Sequence, residues 1–339
     1  MGKKTRRDLL RDGTVLGLGI LGVSGCSAEA PGTTGAKGTS SSSGTARVVL
    51  ARDLSSVKTV DGNTTVDAKK VREMLSKAIV AFTGAPDEES AWKKLFKPTD
   101  VVGLKVNCLF GVNASTRPEV TMAVAEGIMK AGVKPENIII WDMTNRDLTK
   151  SGYTINVDKP GVRCYGTDPV AGYEDEPMRN GSFNGKLSKI LTRQITALVN
   201  IPILKDHSIA GMTLALKNHY GSHHNPGDHH DDNCAPAADL NALPPIRNKT
   251  RLIVVDLLRP QANGGPGLRA QFGWDFGGIM VGTDPVAVDT IGLQILEARR
   301  KEIGLPPLEQ VGRPPRAVTA SAKKGLGQGD PSKIRLIRV

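Results

Sequence analysis

A series of short, almost wholly apolar runs, set between helical repeats, limits the fold of this 339-residue chain more than any other feature. Val101–Val106, Asn137–Trp141, Ala197–Ile203, Arg251–Val255 and Ile279–Val281 are too short for buried helices and lack the alternation of a half-exposed strand. Runs of this kind are strands covered on both faces. Arg47–Leu50 adds another. Between them, Val71, Leu75, Ile79 and Phe82 share one face of a helix over 67–82, and Val120, Val124, Ile128 and Ala131 share one after Pro118. Helices are also predicted over 186–194 and 285–300. Strand–helix alternation predicts an α/β fold, a mostly parallel sheet flanked by helices. Thr116-Arg117-Pro118-Glu119 has the form of a capping box with proline in the first turn, and Gly132 closes that helix. Asp284 is placed to cap the 285–300 helix. Residues 143–185 and 219–250 lack periodicity and are expected to be long irregular loops, which commonly carry function.

The N-terminus carries an address. Thr5-Arg6-Arg7-Asp8-Leu9-Leu10-Arg11 matches a twin-arginine export signature in a basic segment. Thr14–Gly25 is a Gly-rich apolar stretch, shorter than the roughly 20 apolar residues of a membrane-spanning helix. Val23-Ser24-Gly25-Cys26 matches a bacterial lipobox with Cys26 as the lipid acceptor; an ordinary secretory signal with an incidental cysteine is the alternative. The expected organisation is a twin-arginine lipoprotein signal over 1–25, a Gly/Ser/Thr-rich flexible tether over 26–46 and one α/β domain over 47–339. It implies the twin-arginine translocase as export partner and a lipid-anchored location at the cell envelope or in the periplasm. That route moves folded proteins, including those loaded with a metal or redox cofactor before export.

Composition narrows the partners. The formal net charge is +11, but the basic residues are scattered and aromatics make up 4%. Base-stacking platforms for nucleic acid are therefore not expected. Beyond Cys26, the cysteines Cys108, Cys164 and Cys234 allow at most one disulfide and include no C-x-x-C pair. They are too few for an iron–sulfur cluster on this chain. Cys108 follows an apolar strand and is expected in the core.

Two segments carry candidate chemistry. His219, His223, His224, His229 and His230 lie within twelve residues, with Asp228, Asp231, Asp232 and Cys234 among or behind them. Imidazole, carboxylate and thiolate together suit a divalent transition metal such as Zn, Ni, Fe or Cu. Gly221, Pro226 and Gly227 exclude a continuous helix, so His219 and His223 do not form a zincin pair. The alternative is a polar surface loop. Upstream, Lys205 and His207 follow the 197–203 strand, and ligand sites of open α/β sheets sit at the carboxyl ends of strands. His207 suits a general base or a ligand, and Lys205 or Lys217 an anion-holding group; capped or solvated side chains are the alternatives. Asn263-Gly264-Gly265-Pro266-Gly267 has the character of a backbone turn that approaches an anion. A Walker lysine pattern and a G-x-S-x-G elbow are missing, and no G-x-G-x-x-G opens a helix, so nucleotide binding is weakly supported. Gly166–Ala171 recurs letter for letter at Gly282–Ala287 with unrelated flanks, which is read as coincidence or reuse of a cap.

Several motifs occur in one order: Lys105-x-Asn107, Thr116-x-Pro118-Glu119, Asn200-x-Pro202-x-x-Lys205-x-His207, Thr213-x-x-x-Lys217-Asn218-x-x-Gly221, Val255-Asp256, Gly264–Gly267 and Asp284–Asp289. Together they resemble the prokaryotic "domain of unknown function 362" family over about residues 95–335. The resemblance implies an α/β fold and raises Lys205, His207, Lys217, Asn218 and Asp289 as pocket residues. Some members of that family carry ferredoxin-type modules, which implies a link to redox or metal biochemistry; this chain lacks the cysteines for one. The expected function is a metal-dependent envelope enzyme of unknown reaction. A non-catalytic metal-binding or delivery protein, or an accessory subunit of a redox complex, is the alternative.

Overall fold

The computed structural model describes residues 45–339. The export signature, Cys26 and nearly all of the tether lie outside the described residues. Strands β1 (Ala46–Arg52), β2 (Val57–Val60), β3 (Asn63–Val66), β4 (Val102–Lys105), β5 (Ile138–Trp141) and β6 (Arg163–Cys164) come first. β7 (Met178–Asn180), β8 (Phe183–Gly185), β9 (Ala197–Asn200), β10 (Ile203–His207) and β11 (Gly211–Thr213) follow. β12 (Thr250–Gln261), β13 (Gly278–Gly282) and β14 (Ile334–Arg338) complete the strands. The main sheet runs β14-β1-β13-β12-β9-β4-β5-β6, with β10 paired to β12 and β11. β6, β5, β4, β9 and β12 run parallel in that order along the path, β10 is parallel to β12, and β14 is parallel to β1. β13 is antiparallel to both β1 and β12, and β11 returns antiparallel to β10. The fold is α/β with a mixed, mostly parallel sheet, as expected.

The apolar runs pack as two-faced strands. Val49, Ala51, Val102, Ile138, Ile140, Val199, Leu252 and Val254 turn to one core. Their alternates Val48, Leu50, Ile139, Trp141, Leu198, Ile253 and Val255 turn to the other. The first core is roofed by α1 (Ala68–Thr83), α2 (Glu88–Leu95) and α3 (Pro118–Lys130). α2 and α3 touch closely: a methyl at Gly127 would come within 2.2 Å of the Trp92 ring. The opposite core takes α5 (Ala215–Asn218), α7 (Ala237–Asn241), α8 (Pro244–Arg247), α9 (Pro285–Glu302) and α10 (Arg316–Lys323). The short helices α4 (Asn145–Lys150) and α6 (Asp231–Cys234) belong to the connections. Among the described residues no helix is long and apolar enough to cross a membrane.

Several local expectations change. α3 has Arg117, not Thr116, as its N-cap, with no side-chain cap bond. Thr116 Oγ1 instead ties Asn107 N–H to the Ile201 carbonyl. The start of α3 is fixed from across the sheet, where the buried Asp256 carboxylate accepts from Arg117 N–H (3.0 Å) and pairs with its guanidinium. The 186–194 helix shortens to a π-turn at Ile190–Gln194. Residues 143–185 contain α4, β6 and the β7–β8 hairpin, and 219–250 fold into short turns punctuated by Pro226, Pro236, Pro244 and Pro245. Periodicity misses such pieces because each is shorter than one amphipathic repeat. Asp284 does cap α9, accepting from Val286 and Ala287. The other copy of its hexapeptide forms a π-turn over Thr167–Ala171, so six shared letters take two structures. Cys108, Cys164 and Cys234 are all buried and unpaired, and burial raises all three thiols.

Candidate functional site

The carboxyl ends of β4, β5 and β10 meet on one side of the sheet, where parallel-sheet proteins place their ligands. Lys105 closes β4, Asp142 follows β5, and Lys205 to His207 close β10. The β10–β11 hairpin and α5 fold over them and bring in Thr213, Lys217 and Asn218. Between these elements lies a cavity of about 320 Å³. Its wall also includes Leu109, Phe110, Met143, Ile209, Tyr220 and His230.

Lys205 is 2% exposed, donates to the Ala114 carbonyl (2.6 Å) and lies 5.0 Å from the Phe110 ring centre. Burial lowers its pKa to about 7. Lys217 is 8% exposed, lies 4.1 Å from the Tyr220 ring centre and donates to His230 Nε2 (3.2 Å). Burial lowers it to about 8. Among the described residues neither ammonium has a carboxylate at ion-pair distance. Lys105 is the contrast: its Nζ pairs with Asp142 Oδ1 at 2.7 Å and donates to the Val106 carbonyl. Asp142 also accepts from Cys108 N–H and Met143 N–H, so its negative charge is fully engaged. Gly221 sits against this pair; a Cβ there would come within 2.4 Å of Asp142.

His207 is oriented by its own turn. Its Nδ1 accepts from the backbone N–H groups of Ile209 (3.1 Å) and Ala210 (3.2 Å). An imidazole that accepts at Nδ1 carries its proton on Nε2. Burial, reinforced by Lys217 and His230, lowers its pKa to about 2. In this tautomer His207 is neutral, with its N–H on Nε2. The neighbouring His230 ring stacks 5.6 Å from His207, and its Nε2 accepts a hydrogen bond from Lys217 Nζ.

Asn218 lines the cavity and anchors a buried amide chain, donating to Asn200 Oδ1 (2.7 Å) and accepting from Asn107 Nδ2. Asn107 Oδ1 and Thr213 Oγ1, both on cavity-lining residues, have no partner. Unpaired buried polar atoms in a ligand cavity are available to a bound molecule.

The remaining expected site residues fall elsewhere. Asp289 is fully buried outside the cavity, and its two oxygens accept from Ala215 N–H (2.8 Å) and Leu216 N–H (3.1 Å). It caps α5 from a distant helix and so positions Lys217 and Asn218; burial raises its pKa to about 7. His219 is buried in the amide chain between Asn200 and Ser222. His224 is exposed and accepts Lys186 N–H at Nδ1. His223 and His229 pack around Phe183. The five histidines of the loop do not converge. Among the described residues no group of three or more His, Cys, Asp or Glu is placed to hold a metal ion. The glycine turn does approach an anion, but the anion is the protein's own: Gly265 N–H donates to Asp206 Oδ2 (2.9 Å), while Arg313 and Arg300 pair with Oδ1.

A family profile described as "Domain of unknown function (DUF362)" matches residues 102–294. The chain belongs to the DUF362 family. The DUF362 span contains every cavity residue named above, and its ordered motifs, far apart in sequence, converge on the cavity or on its supports. No curated protein matches this DUF362 chain. Among solved structures it is similar to a structural-genomics protein from Thermotoga maritima (14% identity, 71% of this chain and 60% of that one, TM-score 0.39). It is also similar to the lactate racemase apoprotein of Thermoanaerobacterium thermosaccharolyticum (10% identity, 71% and 55%, TM-score 0.38). The DUF362 chain thus spans less than two thirds of either neighbour's length.

Sequence reasoning missed Lys105, Asp142 and Tyr220 as site residues. For Lys105 a signal existed: a charged residue inside an otherwise apolar strand is expensive to bury unless it is paired. Asp142, directly after the next apolar strand, is the matching sign for its partner.

Proposed function

We propose that the cavity binds a small organic anion, a carboxylate or phosphate ester, and that the protein is an enzyme moving a proton on it. The observation that carries this reading is the pair of buried lysines without a carboxylate partner. A buried ammonium without a counter-charge is costly, and an anionic ligand supplies one. His207 offers an Nε2–H to the same ligand, and unpaired Asn107 Oδ1 can accept from a hydroxyl or amine on it. Leu109, Phe110, Met143 and Ile209 supply an apolar wall for a short carbon skeleton. Lys217 and His230 form a donor–acceptor pair with lysine near pH 8, suited to shuttling a proton at neutral pH. The histidines that line this cavity do not fit a resident metal, since His207 presents an N–H and His230 Nε2 is taken by Lys217.

Calorimetric titration with glycolate, malate and inorganic phosphate tests the reading. Wild type is expected to bind at least one of them, and the Lys205→Met/Lys217→Met double variant to lose that binding. Equal affinity in the two proteins would remove the proposal.

We also propose that the protein works at the envelope, exported by the twin-arginine translocase and lipid-anchored through Cys26. Support comes from the paired Arg6 and Arg7 ahead of a short apolar stretch that ends in a lipobox. Arg6→Lys/Arg7→Lys is expected to leave the precursor inside the cell. Labelled fatty acid is expected on wild type and not on Cys26→Ala. Normal export, or equal labelling, would contradict the respective claim.

A further inference from the structure

The lysine cavity holds its side chains in an inverted order. Its polar groups are the buried ones: Lys205, Thr213, Lys217 and Asn218 are all withdrawn from solvent. Its apolar groups are the open ones: Leu109, Phe110 and Ile209 line the same cavity and are 58%, 40% and 42% exposed. Folding usually arranges these the other way, because apolar surface left in water and charge taken out of it are both unfavourable. Phe110 joins the two levels, with its ring centre 5.0 Å from Lys205 Nζ and part of its ring open to solvent.

The apolar surface continues beyond the wall. Leu268 and Val311 are exposed as well and belong to the adjoining turns. A Cβ at Gly267 would meet the Phe110 ring at 3.8 Å, and Asn233 Nδ2 donates to the Ile209 carbonyl (2.8 Å) and the Gly312 carbonyl (3.4 Å). Exposed apolar side chains scattered singly need no explanation, but a group of them around a cavity marks a surface that something covers.

One kind of ligand answers both features. An anion without a tail, such as inorganic phosphate, neutralises the lysines and leaves the rim in water. A purely apolar molecule covers the rim and leaves the ammonium groups without a counter-charge. We infer, on the reading that the lysine cavity binds an anion, that its ligand is a single-chain amphiphile whose carboxylate or phosphate head meets Lys205 and Lys217 and whose hydrocarbon tail lies across Leu109, Phe110 and Ile209. The cavity volume of about 320 Å³ is at the lower end of the roughly 300–1,000 Å³ of small-molecule sites. That fits one chain and not the paired chains of a membrane phospholipid.

Calorimetric titration of the full-length chain in detergent-free buffer tests it, with n-alkanoates and monoalkyl phosphates of four, six and eight carbons held below micelle-forming concentrations. In one of the two series affinity is expected to rise roughly two- to fourfold per methylene, the range between a half-buried and a fully buried group. In Leu109→Ser/Ile209→Ser, which changes exposed positions, that gain is expected to fall below about 1.5-fold per methylene. 1-Octanol, with the chain and no charge, is expected to bind at least about tenfold more weakly than the charged eight-carbon ligand. Short anions bound with no gain from a longer chain would overturn the amphiphile and leave the anion site standing; no binding at any length would remove both. An unchanged gain in the serine variant, or octanol bound as tightly as the charged ligand, would also overturn the inference. Phosphatidylglycerol vesicles separate a membrane from a single-chain ligand. Wild type retained on them and the serine variant not, with no chain-length gain among the monomeric anions, would assign the rim to a bilayer and overturn it.

Discussion

Residues 200–218 and 219–234 are consecutive, yet they hold their ionisable groups in opposite ways. In the first stretch polar side chains borne on strand or helix are fixed by backbone groups: Lys205 on the Ala114 carbonyl, His207 on two N–H groups, and Asn218 on the Lys105 carbonyl. The charges left over face a cavity. In the second stretch the histidines are spread among aromatic rings, a surface position, a buried amide chain and the cavity wall. A dense cluster in sequence became four separate environments, while scattered lysines became one site. Regular backbone aims side chains at a common point because successive residues have fixed directions; a loop broken by Gly221, Pro226 and Gly227 gives each residue its own direction.

The largest effect is expected from the support of the first stretch. Asp289→Ala leaves Ala215 and Leu216 N–H without their acceptor and should destabilise the fold by about 2–4 kcal/mol, while also abolishing anion binding because α5 loses its anchor. Denaturant unfolding checks it; a fully stable variant would show that α5 needs no such cap. Asp289→Asn sharpens the point through pH. The folded pKa, raised from 3.8 to about 7, means that the native state holds the proton more tightly. The Asp289 contribution is fully present below about pH 4 and is lost as pH rises through 7. His207, lowered to about 2, acts with the opposite sign, its contribution falling away as pH drops below its unfolded value of 6.5. The difference between wild type and Asp289→Asn therefore isolates the carboxyl, and no change in that difference between pH 4 and 8 would contradict its assigned state.

Next in size is the lysine pair. Lys205→Met or Lys217→Met alone is expected to weaken anion binding roughly 10- to 100-fold, the worth of one hydrogen bond to a charged group. If either leaves affinity intact, the cavity binds its ligand through the other. A smaller effect is expected at His207. His207→Gln keeps an N–H donor and should cost less than about tenfold, whereas His207→Phe removes it and should cost more. Equal affinities would show that the ring only fills space. The smallest effect belongs to the second stretch. His224→Ala should change stability by no more than about 0.5 kcal/mol and anion affinity not at all; a measurable loss would place the loop surface in the site after all.

Much of the scaffold was legible because it rests on local rules. The apolar runs mark strands buried on both faces, and Asp284 ahead of Pro285 marks a helix start. Lys205, His207, Lys217 and Asn218, grouped in the sequence by their place after a strand and by motif order, do line one cavity. What stayed hidden depends on partners distant in sequence. Asp142 lies 37 residues from Lys105, and Asp289 lies more than 70 from the N–H groups it caps. The donor role of His207 depends on two backbone N–H groups whose direction no residue type specifies. The glycine turn showed that an anion would be close but not that Asp206 would be the anion. Gly166–Ala171 and Gly282–Ala287 make the same point, since identical letters become a π-turn in one place and a capped helix in the other.

Proton linkage in anion binding tests the lysine cavity most directly. At pH 8 Lys205 is mostly neutral and Lys217 about half protonated, given values of about 7 and about 8. An anion placed beside them raises both. Titration of wild type with the best-binding anion, in two buffers of different ionisation enthalpy at pH 8, should show net proton uptake, with affinity falling as pH rises from 6 to 9. Binding without proton uptake, and with the same affinity at pH 6 and pH 9, would contradict it.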